Sequence, residues 1–256
     1  MLRAEVKPWA ACSPVRGATL PVMSFSRAMV LFAHPDDAEF FCGGTVARWS
    51  REGCDVHYVC ATDGSAGSNE PGTTREAMRE VREREMRAAA DILGVASVSF
   101  LGEVDGFLEV TPNTRKKVTR EVRRLRPDVL VAPDPSRLWS GSGYINHADH
   151  KAAGELALCA VMPDAPTRVM FQELEDEGLE PFEVPNLFLS AEEADTFVDI
   201  TDTLAVKLKA LSAHASQLGP DVEERVTARA REVGERAGCE FAEGFRGFRL
   251  TDDEDD

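Results

Sequence analysis

Two short segments of this 256-residue chain are rich in histidine and aspartate. Residues 34–37 read His-Pro-Asp-Asp, and residues 147–150 read His-Ala-Asp-His. Imidazole and carboxylate groups are the usual ligands of a catalytic zinc ion, which takes three protein ligands and keeps one position for water. If the two segments meet in the folded chain, their side chains are of the right types to build a hydrolytic metal site.

The adjacent carboxylates Asp36 and Asp37 suit two different tasks. Consecutive side chains point in different directions in a tight turn, so one carboxylate can bind a metal while the other faces the metal-bound water. Two bare carboxylates side by side repel each other, and a divalent cation relieves that repulsion. In the second segment, His147 and His150 lie three residues apart at the start of a predicted helix, so both can point at the same centre.

Each of these residues also has a purely structural interpretation. A histidine at the end of a strand is commonly a hydrogen-bonded loop residue, and Asp36 or Asp37 can cap the helix that follows. Arg82 belongs to a segment rich in arginine and glutamate, which is typical of a solvated helix face, and Asp105 precedes a glycine, which indicates a turn. The combination of complementary ligand types in two loops favours a metal site over these separate explanations.

An alternation of short apolar runs and longer amphipathic segments must position these residues. The apolar runs predict strands at 28–33, 55–61, 95–101 and 128–132. The segments that follow them predict helices at 39–52, 75–93, 111–126 and 147–161. Further strands are predicted near 167–171, 186–189 and 196–199, and further helices near 201–217 and 221–236. This order predicts a three-layer α/β/α sandwich with a mainly parallel, Rossmann-like sheet.

The predicted fold also indicates where the two histidine segments lie. In open parallel sheets, ligands bind outside the carboxyl ends of the strands. Residues 34–37 follow the first predicted strand directly, and residues 147–150 begin the helix after the fourth. Both segments therefore belong to the same edge of the sheet, and we expect them to lie close together.

Charge and composition exclude several classes of partner. The formal net charge of −16 argues against nucleic acid or an anionic membrane surface, because both require basic patches. No apolar run approaches the roughly 18–20 residues that span a bilayer, so membrane insertion is not expected. The six cysteines form no CxxC pair, which favours reduced thiols in a cytoplasmic protein. We expect an N-terminal extension at 1–27, a single catalytic domain at 28–250 and an acidic tail at 251–256.

The first histidine segment and the residues around it resemble a known family. His-Pro-Asp-Asp-Ala-Glu at 34–39, with Gly-Gly-Thr at 43–45 behind it, is similar to the signature of the PIG-L/LmbE-like deacetylases. Members are zinc hydrolases that remove an N-acyl group, usually acetyl, from an amino sugar such as N-acetylglucosamine in a conjugate. The resemblance runs through most of the chain from about residue 28. It extends to the segments at 62–67, 100–106, 147–150 and 211–217.

The resemblance implies a role for each residue of the two segments. His34, Asp37 and His150 would be the ligands of one zinc ion per chain. Asp36 would be the general base on the zinc-bound water. His147 would stabilise the oxyanion or protonate the leaving amine.

The resemblance also implies substrate-binding residues. Arg82 and Asp105 match positions associated with substrate, and His214 lies in the similar C-terminal segment, although a histidine on an apolar helix face is ordinarily a core residue. One departure is Ala148, where the family usually has proline between the two histidines; this changes the stiffness of the segment but not its ligands.

The function predicted from the sequence is zinc-dependent removal of an N-acetyl group from a small-molecule N-acetylglucosamine conjugate. A homo-oligomer is compatible with this function, and the oligomeric state stays open. One alternative is a metal-dependent hydrolase of another bond, an ester or a phosphoester, although a two-metal phosphatase would need more carboxylates and histidines than these loops offer. Another is an inactive sugar-binding homologue, but such a protein would be expected to have lost Asp36 or a ligand. The aglycone and the acyl group stay open.

Overall fold

Residues 24–140 and 143–250 are described by a computed structural model of the chain. Most of the predicted N-terminal extension and the whole of the predicted acidic tail lie outside the described residues. Within the described ranges, no helix combines the length and the apolar character needed to cross a membrane.

The described residues contain nine strands and seven α-helices in an alternating order. The strands are Arg27–Phe32 (β1), Asp55–Thr62 (β2), Ser97–Glu103 (β3), Val129–Pro133 (β4), Trp139–Ser140 (β5), Tyr144–Ile145 (β6), Asn186–Ser190 (β7), Thr196–Asp199 (β8) and Ala242–Arg249 (β9). The α-helices are Asp37–Arg51 (α1), Arg75–Leu93 (α2), Pro112–Leu125 (α3), Ala148–Cys159 (α4), Glu173–Asp176 (α5), Leu204–Leu211 (α6) and Val222–Ala237 (α7). A π-helical turn, Ala160–Asp164, continues α4.

Seven of these strands form one sheet in the order β3-β2-β1-β4-β7-β9-β8. The pairs from β3 to β7 are all parallel, whereas β9 is antiparallel to both of its neighbours. Alternate residues of β1 belong to two different hydrophobic clusters: Ala28 and Val30 to one, Met29 and Leu31 to the other. Because successive side chains of a strand point to opposite faces, both faces of the sheet are covered. The predicted α/β/α sandwich with a mainly parallel sheet is confirmed.

The strand order explains why the two histidine segments meet. From β1 the chain moves outward to β2 and β3 on one side, while β4 and β7 lie on the other. The loops after β1 and β4 therefore leave the sheet at its topological switch point, where a crevice forms. A methyl group on Gly154 would lie 2.5 Å from the carbonyl oxygen of Pro133, so glycine lets α4 pack closely against the end of β4. This close packing fixes the start of α4 at the crevice.

Two predicted elements differ from the structure, and one long strand was not predicted. The strand predicted near 167–171 is wrong: the segment forms turns, and the carbonyl oxygens of Thr167 and Met170 accept hydrogen bonds from Arg123 instead of a neighbouring strand. The helix predicted at 201–217 is confined to α6. Strand β9 was not predicted, because its sequence Ala-Glu-Gly-Phe-Arg-Gly-Phe-Arg contains two glycines and no regular apolar alternation.

Candidate metal centre and active site

The side chains of His34, Asp37 and His150 converge at the crevice. His34 Nδ1 lies 3.2 Å from His150 Nε2 and 3.5 Å from Asp37 Oδ2, and His150 Nε2 lies 3.1 Å from Asp37 Oδ1. One potential ligand atom from each residue lies within 4.8 Å of the other two, and all three residues are buried. The loop after β1 and the first turn of α4 thus bring together the three side chains that the sequence suggested as metal ligands.

The orientation of the two imidazole rings is fixed by contacts of their outer nitrogens, which are the ring nitrogens that point away from the converging ligand atoms. His34 Nε2 lies 3.2 Å from Asp105 Oδ1 and 3.3 Å from Asp149 Oδ2, and His150 Nδ1 lies 2.9 Å from Asn146 Oδ1. Carboxylate and amide oxygens only accept hydrogen bonds, so in the neutral rings these outer nitrogens carry the protons. The inner nitrogens therefore present lone pairs to each other across 3.2 Å. Such outer contacts are the usual means of orienting a metal-binding imidazole.

The converging groups favour a positive charge between them. Burial alone lowers the pKa of His34, but hydrogen bonds to three neighbouring carboxylates outweigh burial and raise this pKa well above its ordinary value. Burial raises the pKa of Asp37, but the charge of His150 and hydrogen bonds to both histidines hold it well below its ordinary value. Two imidazole nitrogens and a carboxylate are a donor set that suits zinc and leaves a fourth position open. The residues present fit that metal.

A second group of metal-binding side chain types, His34 with Asp105, His147 and Asp149, also lies within 4.8 Å. The Asp149 carboxylate in it is already occupied: Oδ2 accepts the N–H of Gly106 at 2.8 Å, and Oδ1 accepts that of Leu108 at 3.2 Å. We therefore interpret this group as the support that orients His34, not as another metal site.

Asp36 makes different contacts from its neighbour Asp37. Its Oδ1 accepts a hydrogen bond from the Arg82 guanidinium at 2.9 Å, and its backbone has φ 130° and ψ −27°. A non-glycine residue at such an angle is strained, and strain of this kind concentrates at functional sites. Burial raises the pKa of Asp36 to about 6; the Arg82 charge opposes this shift, and the Asp37 charge adds to it. The two adjacent carboxylates are thus separated, as a tight turn predicts.

Arg82 and Asp105, which were predicted to bind substrate, connect the loops of the site. Both are 4% exposed. Arg82 donates to the carbonyl oxygens of Pro35 at 2.7 Å and Gly64 at 3.3 Å, and Asp105 Oδ2 accepts the N–H of Ala66 at 3.0 Å. Gly64 has φ 65°, and a side chain there would lie 2.8 Å from the Pro35 ring, so glycine allows this close approach. The two charged groups hold together the loops after β1, β2 and β3.

His214 also lies inside the protein. Its side chain is fully buried, and its Nε2 lies 3.0 Å from Oε2 of Glu39, which is fully buried as well. The ring has no exposed surface with which to contact a substrate, so we revise its predicted substrate-binding role to support of the first turn of α1. Glu39 had no assigned role from the sequence, although its place two residues after Asp37 was a signal.

His147 is the exposed histidine of the second segment. It caps α4, because its Nδ1 accepts the N–H of Asp149 at 3.2 Å. Its ring packs edge-on against His34, with ring centroids 4.6 Å apart. Burial lowers the pKa of His147, and the charge of His34 lowers it further. With Nδ1 occupied as an acceptor, the neutral ring carries its proton on Nε2, which can serve as a hydrogen-bond donor.

The site opens into a cavity of about 710 Å³. Asp36, Asp37 and His150 line it together with Phe40 and Phe41 of α1 and one face of α7. The three side chains that were predicted to bind substrate are not among the described residues that line this cavity. Sequence reasoning did not identify α7 as part of the site, because this helix follows at the end of the chain and contains no histidine or other ligand motif.

Comparison with known proteins finds a matching family and several similar proteins. Residues 29–161 match the PIG-L family, described as GlcNAc-PI de-N-acetylase. The chain is 32% identical over 231 residues to diacetylchitobiose deacetylase of Thermococcus kodakarensis, covering 88% of this chain and 84% of that protein. It is 31% identical over 207 residues to a probable N-acetyl-alpha-D-glucosaminyl L-malate deacetylase 2 of Bacillus anthracis, covering 77% and 83%.

A solved structure extends the likeness to the fold. N,N'-diacetylchitobiose deacetylase from Pyrococcus horikoshii, complexed with its inhibitor, superposes with a TM-score of 0.81 at 30% identity, covering 87% of this chain and 84% of that one. With the family match over residues 29–161, the shared motifs and the shared fold, the chain belongs to the PIG-L family of de-N-acetylases.

Proposed function

We propose that the chain is a zinc-dependent hydrolase that removes the acetyl group from an N-acetylglucosamine-type conjugate, with residues 28–250 acting as a single catalytic domain. The observation that carries the proposal is the convergence of His34, Asp37 and His150, with one potential ligand atom of each within 4.8 Å of the other two. Support for the substrate class comes from relatives whose names describe deacetylation of diacetylchitobiose and of N-acetylglucosaminyl malate.

His34, Asp37 and His150 would hold one zinc ion. A zinc ion held there would lower the pKa of a bound water molecule to about 7 and would polarise the amide carbonyl. Asp105 and Asp149 keep the outer nitrogen of His34 protonated, and Asn146 does so for His150. These contacts hold both rings in the tautomer that can bind a metal.

Asp36 and His147 would move the protons of the reaction. Asp36 accepts a proton from the attacking water, and its hydrogen bond to Arg82 keeps the carboxylate in place. His147 donates from Nε2 to the developing oxyanion or gives a proton to the leaving amine. The amide C–N bond then breaks, and the products are acetate and a free amino sugar.

The test is release of primary amine from N,N'-diacetylchitobiose, N-acetylglucosaminyl malate and free N-acetylglucosamine. We expect release from at least one conjugate, loss of the activity in a chelator and its return when zinc is added. Hydrolysis of p-nitrophenyl acetate or p-nitrophenyl phosphate without any amine release would instead favour an ester or phosphoester hydrolase. Binding of the conjugates without any hydrolysis would favour an inactive sugar-binding homologue.

The variant Asp105→Asn distinguishes two roles of Asp105, orientation of His34 and direct binding of substrate. The amide can donate to His34 Nε2 as well as accept from it, so the tautomer of the ring is no longer fixed. We expect zinc affinity to fall by about 10–100-fold, with little change in KM at saturating zinc. Competition with a fluorescent zinc chelator measures the affinity, and Asp91→Asn, an exposed position on α2, is the control. A raised KM with unchanged zinc affinity would restore the substrate-binding role.

A further inference from the structure

One face of α7 forms a wall of the cavity that contains the candidate metal ligands. Its aliphatic residues at this wall are Val222, Val226, Ala230 and Val233. Residues three and four apart fall on the same side of a helix, so these four form a continuous apolar stripe. Phe40 and Phe41 of α1 line the same cavity. Val222, Ala230 and Val233 are nearly buried. Phe40, Phe41 and Val226 keep part of their surface exposed and make the space next to the site suited to an apolar body.

Three arginines of α7 line the same cavity beside the apolar stripe: Arg225, Arg229 and Arg236. Arg236 is held by the carbonyl oxygens of Glu192 and Ala194, at 3.3 and 3.2 Å. Arg229 pairs with Glu232 at 2.9 Å, but both side chains are at least half exposed, and such pairs are weak. For the side chain of Arg225, no hydrogen bond or ion pair is found among residues 24–140 and 143–250.

Two arginines of α7 bring like charges close together at this wall of the cavity. Arg225 and Arg229 are four residues apart on one helix face, and like charges at that spacing repel. Two further cations at the cavity are paired with carboxylates: Lys207 with Glu243 at 2.6 Å and Arg137 with Glu192 at 3.2 Å. The acidic residues in the first turn of α7 are not among the described residues that line the cavity. The whole chain has a net charge of −16, but this pair of arginines beside the apolar stripe is locally positive. A bound anion would reduce the repulsion between the two arginines.

We propose that this cavity binds the aglycone of the substrate, and that the aglycone has an apolar body and an acidic group held by Arg225 and Arg229. This rests on the proposed function, because the acetylated sugar would occupy the end of the cavity at Asp36 and His150. The volume of about 710 Å³ falls within the roughly 300–1,000 Å³ of pockets that hold drug-sized ligands, which leaves room beyond a single sugar. Arginine binds carboxylate and phosphate by the same paired hydrogen bonds, so either can be the acidic group.

Three synthetic substrates test the acidic group and its identity. They are the N-acetylglucosaminides of 4-hydroxybenzoate, of 4-hydroxyphenyl phosphate and of the neutral 4-hydroxybenzamide. We expect kcat/KM to be about tenfold higher for at least one acidic substrate than for the neutral one. Arg225→Gln is expected to remove this preference through KM and to leave the neutral substrate unchanged. Arg231→Gln, on the same helix but paired with Glu240, is the matched control and keeps the preference.

A binding measurement keeps this inference separate from the catalytic proposal. Calorimetry with 4-phenylbutyrate and the neutral 4-phenylbutanamide is expected to show about tenfold tighter binding of the acid, lost in Arg225→Gln. Equal kcat/KM for all three substrates, or a parallel fall for all three in Arg225→Gln, would overturn the inference while the deacetylase proposal stands. If no substrate releases amine, the deacetylase proposal fails, and equal binding of acid and amide then overturns this inference as well.

Discussion

Replacing His150 by alanine is expected to abolish zinc binding and amine release together. His150 Nε2 lies 3.2 Å from His34 Nδ1 and 3.1 Å from Asp37 Oδ1, so its removal leaves two of the three proposed ligands. Loss of a group that only orients a ligand costs about 10–100-fold in metal affinity, and loss of the ligand itself should exceed this. Metal content after dialysis, measured by atomic absorption, and amine release on the same sample check the result.

The control for this variant is His57→Ala. His57 lies in β2, where its Nδ1 is 2.8 Å from the Ser97 hydroxyl, away from the converging ligands. This variant should retain zinc and activity. Circular dichroism of both variants shows whether the fold is kept. A folded His150→Ala protein with one zinc ion per chain and wild-type activity would remove His150 from the ligand set.

Asp36→Asn is expected to lower kcat by about 10²–10⁴-fold, the usual contribution of a positioned general base. The amide oxygen can still accept the hydrogen bond from Arg82, but the amide cannot take a proton from water at neutral pH. Asparagine tolerates positive φ better than other non-glycine residues, so it suits the φ of 130° better than alanine does. Zinc content should stay at the wild-type level. Steady-state amine release and metal analysis together make the measurement.

Asp55→Asn is the matched control. This exposed aspartate is the first residue of β2 and lies at the opposite end of the strand from the site. The variant should leave kcat unchanged. Two results would count against the proposed base. Full activity of Asp36→Asn would show that another group accepts the proton, and loss of zinc would show that Asp36 binds the metal instead.

Local signals in the sequence were sufficient to predict where several helices begin and end. Helix α2 begins after Thr74, whose hydroxyl accepts the N–H of Ala77, and ends before Gly94 in the left-handed conformation. Helix α3 begins after the Thr111 cap, with Pro112 as its first residue. Caps act within a few residues, so they can be identified from the sequence alone. Strand β9 and the turns at 167–171 could not be identified in this way, because distant partners determine their backbone hydrogen bonds.

The sequence also predicted the chemistry proposed for the site and the place of its residues on the sheet. The ligand types in segments 34–37 and 147–150 indicated a metal, and the alternation of strands and helices placed both segments at one edge. Topology suffices for this, because the carboxyl ends of parallel strands must share an edge.

The depth of each side chain was decided only by the tertiary structure. Arg82, Asp105 and His214 lie near the predicted site, yet all three are buried behind it. Burial depends on how the loops after β1, β2 and β3 pack together and on Glu39 meeting His214 across the fold. The same packing brings α7, which carries no ligand motif, to the cavity wall beside Asp36 and His150. Residue types and topology thus predicted the proposed reacting groups, whereas packing between distant segments decided which side chains can reach a substrate.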